Sequence, residues 1–401
     1  MSMNETPSSE RVHIGFFGRR NAGKSSLVNA ITNQDLAVVS AKKGTTTDPV
    51  TKTMELLPIG PVVIIDTPGF DDEGELGELR VRKTRQVLNR TDLAVLVTDA
   101  AEELTPCDRE LIGLFKEKEI PYLIARNKCD LLPEEAVQEE NKSDTEIYVS
   151  ATKNIHIYEL KEKIAKVSKS TINDKALVRD LVKEGSLVVL VIPIDSAAPK
   201  GRIILPQQQV IRDLLEGHCA SICVSEKELA GLLKKLEPLK PDLVITDSQA
   251  FAEVSAVTPR DIPLTSFSIL LARYKGFLDT ALKGVEKIKE LKDGDKVLIS
   301  EGCTHHRQCD DIGTVKIPRW LKNHTQKELI IETSSGKGFP EDLSPYAMVI
   351  HCGGCMLNER EMLYRMKCAC DQGIPFTNYG ITIASMKGIL ERSTEIIRNA
   401  E

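Results

Sequence analysis

Two groups of residues have the types and spacing to do chemistry. Near the start, Gly18, Gly23, Lys24 and Ser25 meet the pattern G-x-x-x-x-G-K-S within GRRNAGKSS. Glycines let successive backbone N–H groups wrap a chain of phosphates, the lysine reaches the β and γ phosphates, and the serine hydroxyl ligates magnesium. Toward the end, His351-Cys352-Gly353-Gly354-Cys355 sets two thiols three positions apart behind a histidine, and Cys303-Thr304-His305 lies upstream. Three thiolates can hold zinc together with one histidine, or a [4Fe–4S] cluster whose fourth iron takes a weaker ligand. Gly353 and Gly354 let the loop fold tightly and aim N–H groups at cluster sulfurs.

The phosphate loop needs a strand before it and a helix after it. Val12 to Phe17 reads as a buried strand, and apolar Leu27, Val28, Ala30 and Ile31 continue as a helix. Three more predicted strands end in matching motifs. Val62–Ile65 leads into Asp66-Thr67-Pro68-Gly69, where Asp66 would hold the magnesium shell and Gly69 would approach the γ-phosphate. Tyr122–Ala125 leads into Asn127-Lys128-Cys129-Asp130, whose Asn127 and Asp130 can read a guanine edge. Ile147–Val149 leads into Ser150-Ala151-Thr152-Lys153, which would close over the base.

Four motifs in this order resemble the translation-factor class of GTPases, with GTP and Mg2+ as cofactors. The nucleotide-binding set is Gly18, Asn21, Gly23, Lys24, Ser25, Ser26, Asn127, Lys128, Asp130, Ser150 and Ala151. Lys24, Thr46, Asp66 and Gly69 are the catalytic candidates; likeness of GTTTDP to the GTTRD loop of related GTPases favours Thr46 over Thr47 as the threonine that would cover magnesium and the γ-phosphate. Phe70 follows Gly69 where Ras-like enzymes carry a water-orienting glutamine, so intrinsic hydrolysis should be slow. Asn21 sits where potassium-activated, dimerising GTPases similar to the tRNA-modification enzyme MnmE place a K+-ligating asparagine.

The 401 residues suggest two or three domains, and no apolar run approaches the ~20 residues of a membrane span. A formal charge of −6 gives no clustered basic footprint for nucleic acid. Met1 to Arg11 is polar and reads as a short disordered tail without a secretory core, so a cytoplasmic location is expected. Ten cysteines in such a chain are metal, redox or buried groups rather than a disulfide framework.

From Leu187 onward, short apolar runs at Leu187–Ile192, Cys219–Val224, Leu243–Thr246 and Pro263–Phe267 alternate with helical stretches, as in a small parallel α/β sheet suited to dimerisation. Ser225 and Glu228 read as a capping box opening the next helix. A long amphipathic segment, Phe267 to Leu291, then precedes strand Lys296–Ser300, and strand Ala347–Ile350 precedes the second cysteine group. Asn358 reads as the N-cap of the following helix, with Glu361 at its third position. Both cysteine groups thus lie beyond predicted strand ends, the edge where open α/β sheets bind ligands, so Cys303, Cys352 and Cys355 can meet. Cys107, Cys129, Cys219, Cys223, Cys368 and Cys370 read as ordinary thiols, and Trp320 as a core anchor.

Cys303-Thr304-His305 and the 351–355 loop, attached to this GTPase, resemble the [FeFe]-hydrogenase maturation GTPase family, HydF, over essentially the whole chain. The resemblance implies an α/β protein with a P-loop GTPase domain at 1–172, a dimerisation domain at 173–265 and a [4Fe–4S] domain at 266–401. It makes Cys303, Cys352 and Cys355 the cluster thiolates, and leaves His305, His351, Asp310, Asp311 or water as fourth ligand, with Cys309 a competing thiolate. It further implies a homodimer, or a higher oligomer, that receives a dinuclear iron precursor from radical-SAM maturases and delivers it to apo [FeFe]-hydrogenase. Taken without the resemblance, the residues leave open a tRNA-modification or ribosome-assembly GTPase with a structural zinc site.

Overall fold

A computed structural model describes residues 6–33, 49–70, 83–133, 143–171, 175–194, 203–302, 311–336 and 338–400. The chain forms two compact units, Met1–Asn173 and Asp174–Glu401.

In the first unit β1 (Val12–Phe17), β2 (Val50–Leu56), β3 (Gly60–Asp66), β4 (Leu93–Asp99), β5 (Tyr122–Asn127) and β6 (Glu146–Tyr148) make one sheet of order β2-β3-β1-β4-β5-β6. Only β2 runs antiparallel to its neighbour. The strands alternate between two apolar faces, as a sheet covered on both sides requires. Ile14, Phe16, Ile64 and Val95 pack with Leu27, Ile31 and Leu160 on one side, and Phe17, Ile65 and Leu96 with Leu111 and Phe115 on the other. Within the amino-terminal stretch, residues 6–11 are more ordered than their polarity suggests: Ser8–Glu10 is a 3₁₀ turn, and the Arg11 guanidinium donates to Thr6 O and Met54 O.

The second unit contains two four-stranded, wholly parallel sheets. The first joins β7 (Leu187–Val191), β8 (Ala220–Val224), β9 (Leu243–Thr246) and β10 (Leu264–Ser266) in the order β10-β9-β7-β8. The second joins β11 (Lys296–Glu301), β12 (Ile330–Ser335), β13 (Met348–His351) and β14 (Phe376–Asn378) in the order β12-β11-β13-β14. The Phe267–Tyr274 helix is shared between them. Its Phe267, Leu270 and Leu271 pack with Val188, Leu190 and Ile245, whereas Ile269 and Ala272 pack with Ile299, Ile350 and Ile381.

Three details depart from expectation. The amphipathic segment 267–291 is not one helix: it stops at Tyr274, turns through Gly276 in the left-handed region (φ 73°), and resumes as Leu278–Val285 followed by a 3₁₀ turn, Glu286–Glu290. Ser225 and Glu228 bond side chain to side chain, and Glu228 is itself the N-cap of the Leu229–Leu236 helix, so the pair satisfies no helical N–H. The spacing of Cys219 and Cys223 puts them on one face of an extended strand, but Cys219 precedes β8 and is buried while Cys223 is exposed, so the two do not share a surface. Among the described residues no helix is long and apolar enough to cross a membrane.

Candidate functional site

The first site forms where β1 ends. The Lys24–Thr32 helix begins directly after Gly23, and the loop between crosses β4 so closely that a Cβ on Gly18, held at φ +141°, would lie 2.2 Å from Val97 O. The buried Lys24 Nζ donates to Gly18 O at 2.9 Å and Arg19 O at 2.7 Å, spanning the loop from within. Ser25 Oγ donates to Asp66 Oδ2 at 2.6 Å, across from the helix to the end of β3. The other carboxylate oxygen, Asp66 Oδ1, is buried with no protein hydrogen bond. Burial raises the Asp66 carboxyl above its ordinary value, with Ser25 and then Lys24 opposing the rise. A buried carboxylate oxygen without a donor, beside a serine hydroxyl, suits a hard cation such as magnesium.

The guanine motifs close around the same loop. Asn127 Nδ2 donates to Ala22 O at 3.0 Å, and its Oδ1 accepts the Ala151 N–H at 3.1 Å, tying phosphate loop, β5 and the Ser150 loop together. Ser150 Oγ accepts the Lys153 N–H at 3.1 Å. Lys128 reaches Asp99 at 2.7 Å, and Asp130 stays exposed, open to a base. Asn21 is exposed in the left-handed region at φ 62°, and Ser26 is half-buried in the first helical turn. Phe70 is only 5 % exposed and packs into the core. Thr46 lies outside the described residues.

The second site forms at the ends of β11 and β13, which are neighbours with Ser300 opposite His351. Cys352 N–H donates to Ser300 O at 2.8 Å, and its Sγ accepts the N–H of Gly302 at 3.1 Å and of Gly354 at 3.4 Å. Burial pushes the Cys352 thiol up, and those two amides act against it. Gly354 holds φ +64°, where a Cβ would meet Met362 Sδ at 2.4 Å. Cys355 is half-buried one residue later. As the sequence suggests, Asn358 caps the Glu359–Asp371 helix, accepting the Glu361 N–H at 3.2 Å.

His351 proves to be a core residue. It is fully buried, its Nδ1 lies 2.8 Å from Cys352 O, and its Nε2 accepts from Arg365 Nη1 at 3.1 Å. Burial, and then the Arg365 charge, lower its pKa to about 3, so the ring is neutral with both nitrogens engaged. In this arrangement it has no nitrogen to give a metal. Asp311 is likewise committed, its Oδ2 accepting the N–H and hydroxyl of Thr314 to cap the following turn. Cys303, His305, Cys309 and Asp310 lie outside the described residues, and among those described no three His, Cys, Asp or Glu side chains gather as a metal site.

Four residues around the cysteine loop escape a reading of motifs. Lys275 donates to Gly354 O and Leu357 O from the end of the Phe267–Tyr274 helix. Arg365, 1 % exposed, joins His351, Glu361 and Gly336 O. Glu301 is buried at the end of β11 and accepts from Tyr379 OH at 3.4 Å. Burial holds the Tyr379 phenol well above its ordinary pKa, assisted by Cys352, Glu301 and Asp311. A charged residue inside an otherwise ordinary helix or strand pattern is the signal that Lys275, Arg365 and Glu301 offer, and Tyr379 offers none.

A phosphate loop on a mostly parallel sheet, with Asn127 locked against it, defines the first unit as a P-loop GTPase fold, carried here with a two-sheet α/β unit. Its residues 13–128 match the 50S ribosome-binding GTPase family. In the second unit, residues 177–276 match the hydrogen maturase F dimerization domain and residues 279–396 the hydrogen maturase F tetramerization domain. The chain therefore belongs to the hydrogen maturase F, or HydF, family. Among curated relatives it is 35 % identical over 158 residues to the tRNA modification GTPase MnmE of Aquifex aeolicus, covering 39 % of this chain and 34 % of that protein. It is 37 % identical over 131 residues to GTPase Der of Campylobacter concisus (32 % and 28 % covered). With GTPase Era of Thermoanaerobacter sp. strain X514 it shares 33 % over 159 residues (38 % and 52 %). The chain thus spans between 28 % and 52 % of the length of these relatives.

Proposed function

We propose that this protein hydrolyses GTP and serves as an oligomeric scaffold in hydrogenase maturation, holding a [4Fe–4S] cluster at the ends of β11 and β13. In this reading it accepts a dinuclear iron precursor from radical-SAM maturases and passes it to apo [FeFe]-hydrogenase. One observation carries the cluster assignment: Cys352 Sγ receives two backbone N–H groups where β13 meets Gly302, the residue immediately before Cys303. Amides aimed at a sulfur stabilise a thiolate and set the potential of what it binds. A bound cluster supplies an iron whose remaining ligand can be exchanged. Cys303, Cys352 and Cys355 anchor it, and His305 or Asp310 are the candidates for the exchangeable place.

On the nucleotide side, Lys24 and the loop amides hold the phosphates, Ser25, Asp66 and Thr46 hold magnesium, and Asn127 with Asp130 reads guanine. Phe70 is buried and cannot orient water, so in this reading hydrolysis depends on charge brought to the phosphates, with Asn21 the proposed K+ ligand. A nucleotide that binds two conformations unequally shifts their balance, which is how GTP would change affinity for partners. The family names of the two later segments support oligomerisation. The test is transfer: protein purified with its maturases is added to apo-hydrogenase and hydrogen evolution is followed. Activity is expected with the wild type and not with Cys352→Ser; equal activation by both would overturn the reading.

A further inference from the structure

The ammonium of Lys275 is buried, at 3 % exposure, under the cysteine loop. It donates to Gly354 O and Leu357 O, the carbonyls that bracket Cys355, and Gly354 O also accepts the Leu357 N–H at 3.0 Å. The lysine thus sits inside the turn that carries the second thiol. It belongs to the segment matching the dimerization domain, whereas the turn belongs to the segment matching the tetramerization domain.

We infer that Lys275 is the positioning residue of the cysteine loop: a cation supplied by one domain that fixes the Cys352–Cys355 turn of the next and offsets the negative charge held there. The inference rests on the cluster reading above. An ammonium offers three donors and no acceptor, and taking it out of water is unfavourable without acceptors or anions around it. Carbonyls at both ends of the turn supply the first. Thiolates and an anionic metal group would supply the second, since charge interactions strengthen away from water.

Placement adds a mechanical consequence. Phe267, Leu270 and Leu271 anchor the helix ending at Lys275 in the core of the β7–β10 sheet. Ile269 and Ala272 of the same helix pack in the core of the β11–β14 sheet, so the ammonium is held in place from both sheets.

The experiment uses the full chain with Lys275→Met, Lys275→Gln and Lys275→Arg. Three quantities are read: the rate of iron release to a chelator after anaerobic reconstitution, the midpoint potential, and, in metal-free protein, alkylation of Cys355 relative to Cys370 by mass spectrometry. Circular dichroism establishes that each variant is folded. K275M should release iron about tenfold faster, the loss of a charge-assisted hydrogen-bond pair being worth at least that factor. Its potential should fall, because a removed positive charge no longer favours the reduced form, and Cys355 should alkylate severalfold faster while Cys370 does not change. K275R should recover the potential. If K275M does not fold, K275Q, which keeps donors and loses the charge, is judged on the same readouts. A folded neutral variant with wild-type iron release, potential and Cys355 reactivity overturns the inference. Wild type that takes up no iron defeats the cluster reading instead, and the alkylation comparison then decides the positioning role alone.

Discussion

The backbone N–H of Gly302 donates to Cys352 Sγ at 3.1 Å, although fifty positions separate them. Parallel pairing of β11 with β13 produces the contact: Ser300 lies opposite His351, so both chains leave the sheet side by side. The 352–355 loop thereby begins beside Gly302, the residue that precedes Cys303 in the sequence.

The two glycines of the loop should not be equivalent. Gly354 holds φ +64° with Met362 Sδ where a Cβ would go, while Gly353 has nothing closer than 3.7 Å. Gly353→Ala should keep iron content near wild type, and Gly354→Ala should lose most of it and destabilise the unit by about 1–3 kcal/mol, read by iron assay and denaturant titration. Equal behaviour of the two variants would contradict the loop geometry.

Asp66→Asn tests the magnesium assignment. Asp66 bonds Ser25 through one oxygen and leaves the other buried without a donor. The amide should lower GTP hydrolysis by about 100-fold or more while leaving the nucleotide-free fold intact, since burial disfavours the charge it removes. Hydrolysis rates at saturating magnesium and a thermal melt check both halves.

What could be read from sequence, and what could not, follows the range of the interactions. The phosphate loop, Asp66, Asn127 and the Asn358 cap act through neighbours a few residues away or at the ends of plainly apolar strands, so their patterns announce them. Lys275 and Arg365 act on partners 79 and 14 positions distant, chosen by how their helices pack beside β13 and the loop that follows it. His351 reads as a ligand because it adjoins a cysteine, but it ends a strand buried on both faces and stacks on Phe376 in the core. The break at Gly276 was hidden because apolar spacing continues through it on both sides.

Asn21 predicts a choice of monovalent cation. Asn21 is exposed at φ 62° on the phosphate loop and Phe70 is buried, and in the proposed function K+ supplies the missing positive charge. Replacing sodium by potassium should raise the GTPase rate about tenfold in wild type and leave Asn21→Ala unmoved. Identical rates in the two salts would remove potassium from the account.

Tyr346 fastens the segment that enters β13, its hydroxyl donating to Glu332 Oε2 at 2.7 Å. Burial, then the Glu332 bond and charge, push the phenol up to about 12 from an ordinary 10.0. A pKa raised on folding gives stability that is complete below pH 10 and lost as pH rises from 10 toward 12. Tyr346→Phe should therefore cost about 0.5 kcal/mol at pH 8, allowing for solvent screening, and the difference from wild type should vanish near pH 12 in urea titrations.

The most direct test is the metal itself: iron, sulfide and zinc per chain after anaerobic purification and reconstitution, with EPR of the reduced protein before and after imidazole is added. The account predicts about four iron and four sulfide per chain and a reduced-cluster signal that imidazole alters, as an exchangeable ligand position requires. Stoichiometric zinc that iron does not replace, with no EPR signal, would contradict it.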